Sequence, residues 1–375
     1  QTMAYSICTV SGIYPPDKGG PAHFAKEFSN WQLENGGRPK VITLTDSHSS
    51  KEEREGFEIN KITRKQNLVT RYFETAKAIH RVLQSNHDVL INGCFLEALA
   101  AKTFTKNKYV AKVPGDIVWE RARNSGKTIL DIQSFQTTKL KWNYRIFRFF
   151  FTQSLNKARK VIVPSFELRD LCIDWGISKS KLIVIFNSVS PKIFYKMEGT
   201  TKEFDVISVG RLVSWKGNTE LIQACSLLGL RLAIVGSGPE LQVLKEEAEK
   251  SQTSISFLGE VPTSDLCAVY NSAKLFVLNS SYEGTSHALL EARACGLFAI
   301  ARANVGSNRD IIDHLSDGIL FAADTGISLT EALRLAVGNS INLLTASDLA
   351  IQNTISRFGI QANFDEIREV IEGPL

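Results

Sequence analysis

The sequence predicts an α/β protein of two doubly wound domains in tandem, and three observations support this fold class. Short apolar runs of strand type alternate with longer amphipathic stretches of helix type, which is typical of parallel sheets covered by helices. The alternation breaks off within residues 187–203, where Pro191 and Gly199 interrupt it, and it resumes at Phe204. A chain of 375 residues is long enough for two domains that each bury a core.

The first half of the chain opens with a strand, a loop rich in glycine and proline, and a helix. This helix is predicted over residues 21–35, because Phe24, Phe28 and Trp31 recur on one face. The regular alternation that follows predicts a parallel sheet. The predicted strands are Tyr5–Val10, Arg38–Leu44, Asp88–Ile91, Lys108–Val113, Lys160–Val163 and Lys181–Phe186, with further helices at about 70–85 and 95–105.

The second half repeats the same alternation and predicts a second parallel sheet. Its predicted strands are short and mostly apolar, as expected of strands buried on both faces. They are Phe204–Val209, Arg231–Val235, Ser254–Leu258, Lys274–Leu278 and Phe298–Ala301, and the helices between and after them lie at about 217–228, 239–250, 263–272, 286–295 and 326–340.

The composition is that of a soluble globular protein, with 43% hydrophobic and 22% charged residues. No apolar run reaches the about 18 residues that cross a bilayer, and residues 1–10 lack the features of a signal peptide. The six cysteines form no C-x-x-C pair, which predicts buried free thiols in a reducing compartment and no zinc site. The expected location is therefore the cytoplasm.

Positive charge is concentrated in one part of the chain. Residues 101–200 contain 19 Lys and Arg against 7 Asp and Glu, whereas residues 201–375 contain 13 against 21. This asymmetry favours an anionic partner of the first half, such as a membrane surface or a phosphorylated substrate. It does not predict a nucleic-acid-binding protein.

The stretch from Asn279 to Gly296 reads as a strand end, a tight loop and a helix. Gly284 permits the turn, and Thr285 or Ser286 can cap the helix, whose free N–H groups and positive dipole end attract an anion. Two carboxylates flank this helix start, and they can accept hydrogen bonds from hydroxyl groups attached to a bound phosphate. The alternative is a solvated, charged helix end. The carboxylates are Glu283 and Glu291.

Other loops that follow predicted strands also carry residues suited to phosphate. Gly19 and Gly20 let backbone approach a ligand closely, and two cations five residues apart, Arg211 and Lys216, can neutralise a diphosphate without a metal. Gly236 opens a further glycine loop, which lacks the third glycine of a dinucleotide fingerprint and so disfavours an oxidoreductase.

Together these motifs resemble the retaining glycosyltransferases of the GT-B fold, in the family 4 group that includes bacterial surface-polysaccharide and glycolipid transferases. The resemblance runs from the Tyr14–Gly20 loop, through Val163-Pro-Ser-Phe and Ile185-Phe-Asn-Ser-Val189, to Phe358 and Phe364. It implies two Rossmann-like domains facing across a cleft. The acceptor-binding domain is 1–187, joined by a C-terminal helix at about 360–375, and the nucleotide-sugar-binding domain is 188–359.

The resemblance also implies a role for each matching residue. Arg211 and Lys216 would bind the donor diphosphate, Glu291 the ribose, and Glu283 the hydroxyls of the sugar. Arg211, Lys216 and Glu283 are accordingly catalytic candidates, acting by positioning and charge stabilisation. No cofactor and no metal is expected, since Asp-x-Asp is absent. The expected donor-binding set is Gly19, Gly20, Arg211, Lys216, Gly236, Leu258, Val261, Glu283, Gly284, Thr285, Ser286, His287 and Glu291.

One position departs from the family pattern. Many relatives carry a histidine near the donor sugar after the fourth strand, and here Asp116 stands nearest to that position. Its carboxylate either orients an acceptor or sugar hydroxyl as a catalytic residue, or forms the turn that Gly115-Asp116 predicts.

The expected function is transfer of a hexosyl group from a nucleotide sugar, UDP-linked rather than GDP-linked, to a saccharide or a lipid-linked acceptor. The resemblance places this reaction in the synthesis of a cell-surface polysaccharide, such as lipopolysaccharide or capsule, or of a glycolipid. Two alternatives remain open. A silent partner subunit would lack the cation pair or a glutamate, and a GT-B epimerase or phosphorylase would be a different enzyme.

A basic, aromatic segment at residues 138–160 has seven cations, six aromatic residues and no acid. Such a helix can lie on the inner face of an anionic membrane. Alternatively, it packs its aromatic side chains on the first domain and exposes its cations. The membrane alternative places Trp142, Phe147 and Phe150 in the interface and Lys139, Lys141, Arg145 and Arg148 on lipid phosphates.

Overall fold

The computed structural model describes residues 6–17, 19–85, 87–338 and 342–373. The chain divides into two compact units, one formed by residues 1–185 with 361–375 and the other by residues 186–360. Each unit contains one sheet with helices between its strands. The predicted α/β class with two parallel-sheet domains is therefore confirmed.

The first unit follows the predicted order of strands and helices and adds elements that the sequence did not reveal. The strands are β1 Ile7–Ser11, β2 Lys40–Thr45, β3 Ser50–Arg54, β4 Phe57–Thr63, β5 Asp88–Ile91, β6 Val110–Lys112, β7 Val161–Val163 and β8 Leu182–Val184. The helices are α1 Gly20–Glu34, α2 Leu68–Leu83, α3 Phe95–Thr103, α4 Ile117–Asn124, α5 Ile132–Thr137, α6 Trp142–Lys157, α7 Phe166–Asp174 and, at the C-terminal end of the chain, α15 Ile360–Glu372.

The sheet of the first unit has the strand order β3-β4-β2-β1-β5-β6-β7-β8 and is parallel except at one edge. There β3 pairs antiparallel with β4. The sequence prediction missed both strands. Ser-Lys-Glu-Glu-Arg in β3 has no apolar residue and reads as a loop, whereas β4 does carry the apolar residues Phe57, Ile59 and Ile62. The strand order reverses between β1 and β5, and the carboxyl edge at such a reversal is where open α/β sheets bind ligands.

Helix α15 belongs to the first unit because its aromatic residue enters a ring cluster on α1. The Phe364 ring lies edge-on to the rings of Phe28 and Trp31, with centroids 5.2 and 5.8 Å apart. The Trp31 indole N–H also donates to the Gln361 side-chain oxygen at 2.9 Å. Aromatic pairs in this geometry stabilise beyond the area they bury, so the cluster holds the C-terminal helix on this unit.

The second unit has a fully parallel sheet in the order β11-β10-β9-β12-β13-β14. Its predicted strands are all present, whereas β14 and α14 had not been predicted. The strands are β9 Phe204–Val209, β10 Leu232–Val235, β11 Ile255–Gly259, β12 Ala273–Leu278, β13 Phe298–Arg302 and β14 Gly318–Phe321. The helices are α8 Asn218–Leu228, α9 Leu241–Ala248, α10 Thr263–Asn271, α11 His287–Ala294, α12 Asn308–Ile311, α13 Leu329–Val337 and α14 Leu343–Phe358.

Three sequence predictions extend past the described residues. Tyr5 of the first strand, residues 339–340 of the helix predicted at 326–340 and residues 374–375 of the helix predicted at about 360–375 lie outside them. The helix predicted at 138–160 begins later, because Thr138 already ends α5 and the chain becomes helical again at Trp142. No helix in the described ranges is long and apolar enough to cross a membrane.

A buried ion pair fixes α11 against the rest of the second unit. Arg293 of α11 and Asp317, which precedes β14, are fully buried, and their side chains meet at 2.6 Å. Arg293 also donates to Thr354 of α14, and Asn353 donates to Asp317, so the charges are hydrogen-bonded on several sides. Removing one partner of such a pair is strongly destabilising. The pair therefore holds α11, which carries candidate site residues, in one position.

We expect Lys112 to make the stability of the fold depend on alkaline pH. Lys112 lies buried in β6, and burial lowers the pKa of its ammonium group from 10.5 to about 8. The unfolded chain therefore holds this proton over a range in which the folded chain has lost it, so stability rises between pH 8 and pH 10.5. The free energy of unfolding should rise by about 3 kcal/mol over this range in wild type, and this rise should be absent in Lys112→Met.

Urea unfolding near both ends of that pH range measures the difference between wild type and variant. Lys77→Met is the matched control, because Lys77 is exposed on α2. Parallel pH profiles for wild type and Lys112→Met would contradict the assignment.

Candidate functional site

The candidate site of the second unit is built from two loops at the carboxyl ends of neighbouring strands. Strands β9 and β12 pair in parallel, so the loops that follow them emerge at the same edge of the sheet. The first loop carries Arg211 and Lys216, and the second carries Glu283 to Ser286. The backbone N–H of Ser281 donates to the Trp215 carbonyl at 2.8 Å, which joins the two loops directly.

Lys216 and Glu283 form an ion pair across these loops. The Lys216 ammonium contacts a carboxylate oxygen of Glu283, and the two side chains are only 18% and 14% exposed. The sequence analysis assigned them to different ligand groups, whereas the structure brings them together. The Lys216 ammonium has three N–H donors, so a ligand phosphate can share it with Glu283 or compete with Glu283 for it, and the carboxylate can accept from ligand hydroxyls.

The turn that presents Lys216 is fixed by residues that the sequence analysis did not single out. Gly217 has a φ of +63°, and a Cβ there would lie 2.6 Å from the Asn279 carbonyl oxygen. The Asn279 amide donates to the Gly217 carbonyl at 2.7 Å and accepts from Arg302 at 2.7 Å. Asn279 and Arg302 are thus positioning residues for the Lys216 turn. The polar Asn279 directly after the apolar β12 was the signal that was available in the sequence.

Arg211, which was predicted to bind a diphosphate together with Lys216, lies on the same loop as Lys216 but is not part of the Lys216–Glu283 pair. Its side chain is exposed, and its guanidinium lies 5.9 Å from the Trp215 ring centroid. Beside Arg211, the glycine loops that follow β9 and β10 lie in close contact at the carboxyl edge of the sheet. A Cβ on Gly236 would overlap the Gly210 carbonyl oxygen, so the β10 loop approaches the β9 loop too closely for a side chain.

The loop before α11 is held in place by a second close glycine contact. Gly306 has a φ of +53°, and any Cβ there would overlap the Gly284 carbonyl oxygen, which also accepts from the Ser307 N–H at 3.0 Å. The Thr285 hydroxyl lies 3.1 Å from that of Ser307. Ser286 is the helix cap, since its hydroxyl accepts from the Leu289 N–H, and α11 begins at His287.

Glu291 lies on α11 and is held by a tyrosine. The Tyr270 hydroxyl of α10 donates to the Glu291 carboxylate at 2.8 Å. Burial raises the pKa of Glu291 to about 7, even though this hydrogen bond favours the ionised form. A carboxylate that is partly protonated near neutral pH, with one oxygen already oriented, can accept from or donate to ligand hydroxyls.

The other predicted donor-binding residues divide between the two units. Leu258 is the last residue but one of β11 and Val261 lies two residues beyond the strand, so both lie at the carboxyl edge of the second sheet. Gly19 and Gly20 lie in the first unit, where Gly19 precedes α1 with a φ of +138°. Arg64 fixes their loop by donating to the Gly12 carbonyl at 2.9 Å and pairing with Asp17 at 2.5 Å.

The predicted catalytic role of Asp116 is not supported by its environment. The side chain has no exposed surface and caps α4 by accepting from the N–H groups of Val118 and Trp119 at 3.0 and 3.1 Å. The second oxygen accepts from Gln136 at 2.9 Å and from Arg148 at 2.7 Å. Four hydrogen bonds fill the acceptor capacity of a carboxylate, so we assign Asp116 the turn-forming, structural alternative.

Arg148 is likewise removed from the set of cations predicted to meet lipid. Its guanidinium pairs with Asp116 and lies 4.1 Å from the Trp175 ring centroid, and the side chain is largely buried. Within the described ranges, no three His, Cys, Asp or Glu side chains are grouped so as to hold a metal ion.

Comparison with protein-family models gives one match for each half of the chain. Residues 18–192 match Glycosyltransferase Family 4, and residues 190–350 match Glycosyl transferases group 1. The two models meet at the boundary between the two compact units.

Curated relatives match over less than half of their own length. The chain is 29% identical over 170 residues to an uncharacterized glycosyltransferase of Haemophilus influenzae, covering 43% of this chain and 46% of that protein. It is 27% identical over 203 residues to the alpha-monoglucosyldiacylglycerol synthase of Streptococcus pneumoniae, covering 48% and 45%. It is 33% identical over 175 residues to a GDP-mannose-dependent alpha-mannosyltransferase of Corynebacterium glutamicum, covering 44% and 41%.

Solved structures match nearly the whole chain. Sucrose-phosphate synthase from Thermosynechococcus elongatus superposes with a TM-score of 0.78 at 17% identity, covering 98% of both chains. HepE from Anabaena, in a complex with UDP-glucose, gives a TM-score of 0.76 at 16% identity and covers 98% of this chain and all of that one. At these identities the likeness concerns the fold.

We expect Glu291 to lower the stability of the second unit as pH rises toward neutrality. The folded-state pKa of about 7 exceeds the ordinary 4.5, so the folded chain holds the proton longer than the unfolded chain. Stability therefore falls between pH 4.5 and pH 7, by up to about 3 kcal/mol. Glu291→Gln keeps an acceptor for Tyr270 but cannot ionise, so its profile is flatter.

Chemical unfolding across this pH range compares wild type, Glu291→Gln and the control Glu198→Gln, which changes an exposed glutamate of the same unit. If all three lose stability in parallel, Glu291 does not carry the raised pKa.

Proposed function

The chain belongs to the family 4 glycosyltransferases of the GT-B fold, and from this membership we propose that it transfers a hexosyl group from a nucleoside diphosphate sugar to an acceptor hydroxyl. The observation that carries the proposal is the Lys216–Glu283 pair at the carboxyl edge of the second sheet, beside the start of α11. It offers a cation to a diphosphate and a carboxylate to a sugar, in one contact.

The leaving diphosphate is the group that this site stabilises. As the bond between the anomeric carbon and the phosphate oxygen breaks, negative charge grows on the diphosphate near Lys216, Arg211 and the N–H groups that open α11. The acceptor oxygen bonds to the anomeric carbon on the face that the diphosphate leaves, so configuration is retained. The departing phosphate oxygen takes the acceptor proton.

The two glutamates divide the remaining polar groups of the donor. Glu283, once Lys216 has turned to phosphate, accepts hydrogen bonds from hydroxyls of the sugar. Glu291, oriented by Tyr270, holds the ribose diol. Because Arg211 and Lys216 supply the positive charge, we propose a reaction without a divalent metal, which activity in excess EDTA would test.

The donor in this proposal is a UDP-sugar, and the acceptor is a saccharide or a lipid-linked saccharide. A structural neighbour, HepE, is recorded with UDP-glucose, and a relative is named as a synthase of a glucosyl diacylglycerol, which supports both halves of the proposal. The setting is the synthesis of a cell-surface polysaccharide or glycolipid.

We expect Lys216→Ala to weaken UDP binding, because it removes a charged partner of the diphosphate. The loss corresponds to about 1.5–3 kcal/mol. Glu283→Ala should keep the UDP affinity, since it frees Lys216, while transfer and hydrolysis of the UDP-sugar fall sharply. Calorimetric titration with UDP and a turnover assay separate the two effects.

Lys245→Ala, at an exposed lysine of α9, is the matched control. Equal losses of UDP affinity in Glu283→Ala and Lys216→Ala would refute the division of roles. Wild-type protein that binds UDP but neither transfers nor hydrolyses a panel of UDP- and GDP-sugars would instead be a silent partner subunit.

We also propose peripheral contact between α6 and an anionic membrane at the cytoplasmic face. One face of α6 carries large apolar side chains that remain exposed, while Phe151 and Leu155 on the other face are buried. Phe147 lies under the Arg121 guanidinium at 4.4 Å and is not part of the exposed face. The exposed apolar residues are Trp142 at 74%, Ile146 at 46%, Phe149 at 57% and Phe150 at 46%.

Exposed cations lie beside this apolar face. Lys139, Lys141 and Arg145 are exposed, whereas Arg148 is engaged by Asp116. A helix with apolar side chains on one face and cations next to them binds the headgroup region of anionic membranes. The cations that would meet lipid phosphates are therefore these three.

We expect the protein to co-sediment with vesicles of phosphatidylcholine and phosphatidylglycerol, less so as salt rises, because exposed cations are screened. Replacing Lys139, Lys141 and Arg145 together by glutamine should abolish this binding. The double variant Trp142→Ser with Phe149→Ser should weaken vesicle binding, because it removes exposed apolar area that the membrane would cover.

A triple glutamine variant of Lys51, Lys65 and Lys106, all exposed elsewhere in the first unit, controls for net charge. Equal sedimentation with pure phosphatidylcholine, or an unchanged α6 variant, would leave α6 as a packing helix.

A further inference from the structure

Three charged residues lie together at the carboxyl edge of the first sheet, near the starts of α2, α3 and α4. Arg71 lies in the first turn of α2, Glu97 in the first turn of α3 and Arg121 in the second turn of α4. These helices follow β4, β5 and β6, whose carboxyl ends form one edge of the sheet. None of the roles assigned above uses these three side chains.

The three residues, which we call the arginine cluster, carry an excess of positive charge. Glu97 interacts electrostatically with both arginines, and the two arginines repel each other. Burial raises the pKa of Glu97 in spite of its cationic neighbours. Two guanidinium groups thus lie within electrostatic range of one carboxylate, at the edge where open α/β sheets bind ligands.

Neighbouring side chains hold the arginine cluster in place. The Arg121 guanidinium lies over the Phe147 ring, 4.4 Å from its centroid. The Tyr72 hydroxyl donates to the Leu96 carbonyl at 3.0 Å and so ties α2 to α3. The Nε of Arg71 is buried and has no hydrogen-bond partner within the described ranges. A buried donor without a partner is costly, so the protein alone does not satisfy this guanidinium.

The backbone beside the cluster is also unusual. Cys94, which precedes α3, has a φ of +55°, a conformation that non-glycine residues adopt at a cost. The preceding Gly93 packs on Gly12 so closely that a Cβ would overlap the Gly12 backbone nitrogen. A Cβ on Gly12 would meet only the Cys94 sulfur at 3.9 Å, so space remains beside this backbone. The loops of β1 and β5 therefore approach each other through the backbone of Gly12 and Gly93.

The nearby Arg64 does not add to the excess positive charge of the arginine cluster. It pairs with Asp17 at 2.5 Å and with Asp46 at 3.2 Å, so its own charge is neutralised. Its remaining contact, with the Gly12 carbonyl, fixes the β1 loop. The positive charge that is available to a ligand is therefore that of Arg71 and Arg121.

We propose that the arginine cluster binds an anionic group, a phosphate or a carboxylate, on the acceptor substrate. The proposal rests on the proposed transferase function, since it names the class of the second substrate. Arginine forks match the oxygens of phosphate and carboxylate, and a single added anion balances the charge that Glu97 leaves uncompensated. The acceptor is then a phosphorylated or acidic saccharide, or a saccharide on a lipid phosphate.

Binding is measured on the full chain with UDP present in saturating amount, so that the second unit's cations are occupied. Glucose 6-phosphate represents a soluble anionic acceptor and dodecyl phosphate a lipid phosphate, with glucose and dodecyl glucoside as their neutral analogues. We expect at least one anionic probe to bind at least tenfold more tightly than its neutral analogue. Which of the two probes binds shows whether the anionic group belongs to a soluble saccharide or to a lipid.

The variants distinguish recognition from packing. Arg71→Gln and Arg121→Gln should each weaken the anionic probe at least tenfold, whereas Arg71→Lys should retain part of the affinity. Glu97→Gln should strengthen binding, because it removes a competing negative charge. Lys77→Gln, at an exposed lysine of α2, is the control for net charge.

UDP affinity should be the same in every variant, which separates this proposal from the transferase proposal. If UDP fails to bind even wild type, the donor site is wrong, and the probe titrations still test the cluster without UDP. Equal binding of charged and neutral probes, unchanged affinity in Arg71→Gln and Arg121→Gln, or weaker binding in Glu97→Gln would overturn the arginine cluster as an anion site.

Discussion

The ion pair between Lys216 and Glu283 depends on the parallel pairing of two strands that are distant in sequence. The residues are 67 positions apart, and they meet because β9 and β12 are neighbours in the sheet. Their loops approach so closely that Gly217 has no room for a side chain against Asn279. The same edge is closed by Gly236 on one side and by Gly306 on the other. The charged pair is thus a product of backbone proximity, and the glycines are what permits it.

The repeating pattern of the chain allowed most of the second unit to be predicted. Its first five strands are apolar runs bounded by glycine or polar residues, and this local signal determines both type and position. Strand β14 was not predicted although Gly-Ile-Leu-Phe is an apolar run, and β3 was not predicted because its side chains are charged or polar. Both are edge strands, whose pairing is decided by the neighbouring strand rather than by their own sequence.

The site was predictable as a set of residues and not as a set of contacts. Sequence patterns identified Lys216, Glu283 and Glu291 one by one, but no local pattern pairs Lys216 with Glu283 or Glu291 with Tyr270. Two residues with open alternatives are joined by one contact that no local pattern reveals. Asp116 was a candidate for catalysis or for a turn and Arg148 for lipid or for packing, and each is the partner of the other, 32 residues along the chain. Buried charges need partners, and the partner can be known only from the fold.

The two units treat their charges differently, and the difference matters for what each can bind. In the second unit, Lys216 is already paired with Glu283, so its charge is compensated within the protein. In the first unit, Arg71 and Arg121 both interact electrostatically with Glu97, whose negative charge burial disfavours. An anion bound at the arginine cluster would meet positive charge that is not fully compensated. Such a site suits an anionic group that is bound but takes no part in the reaction.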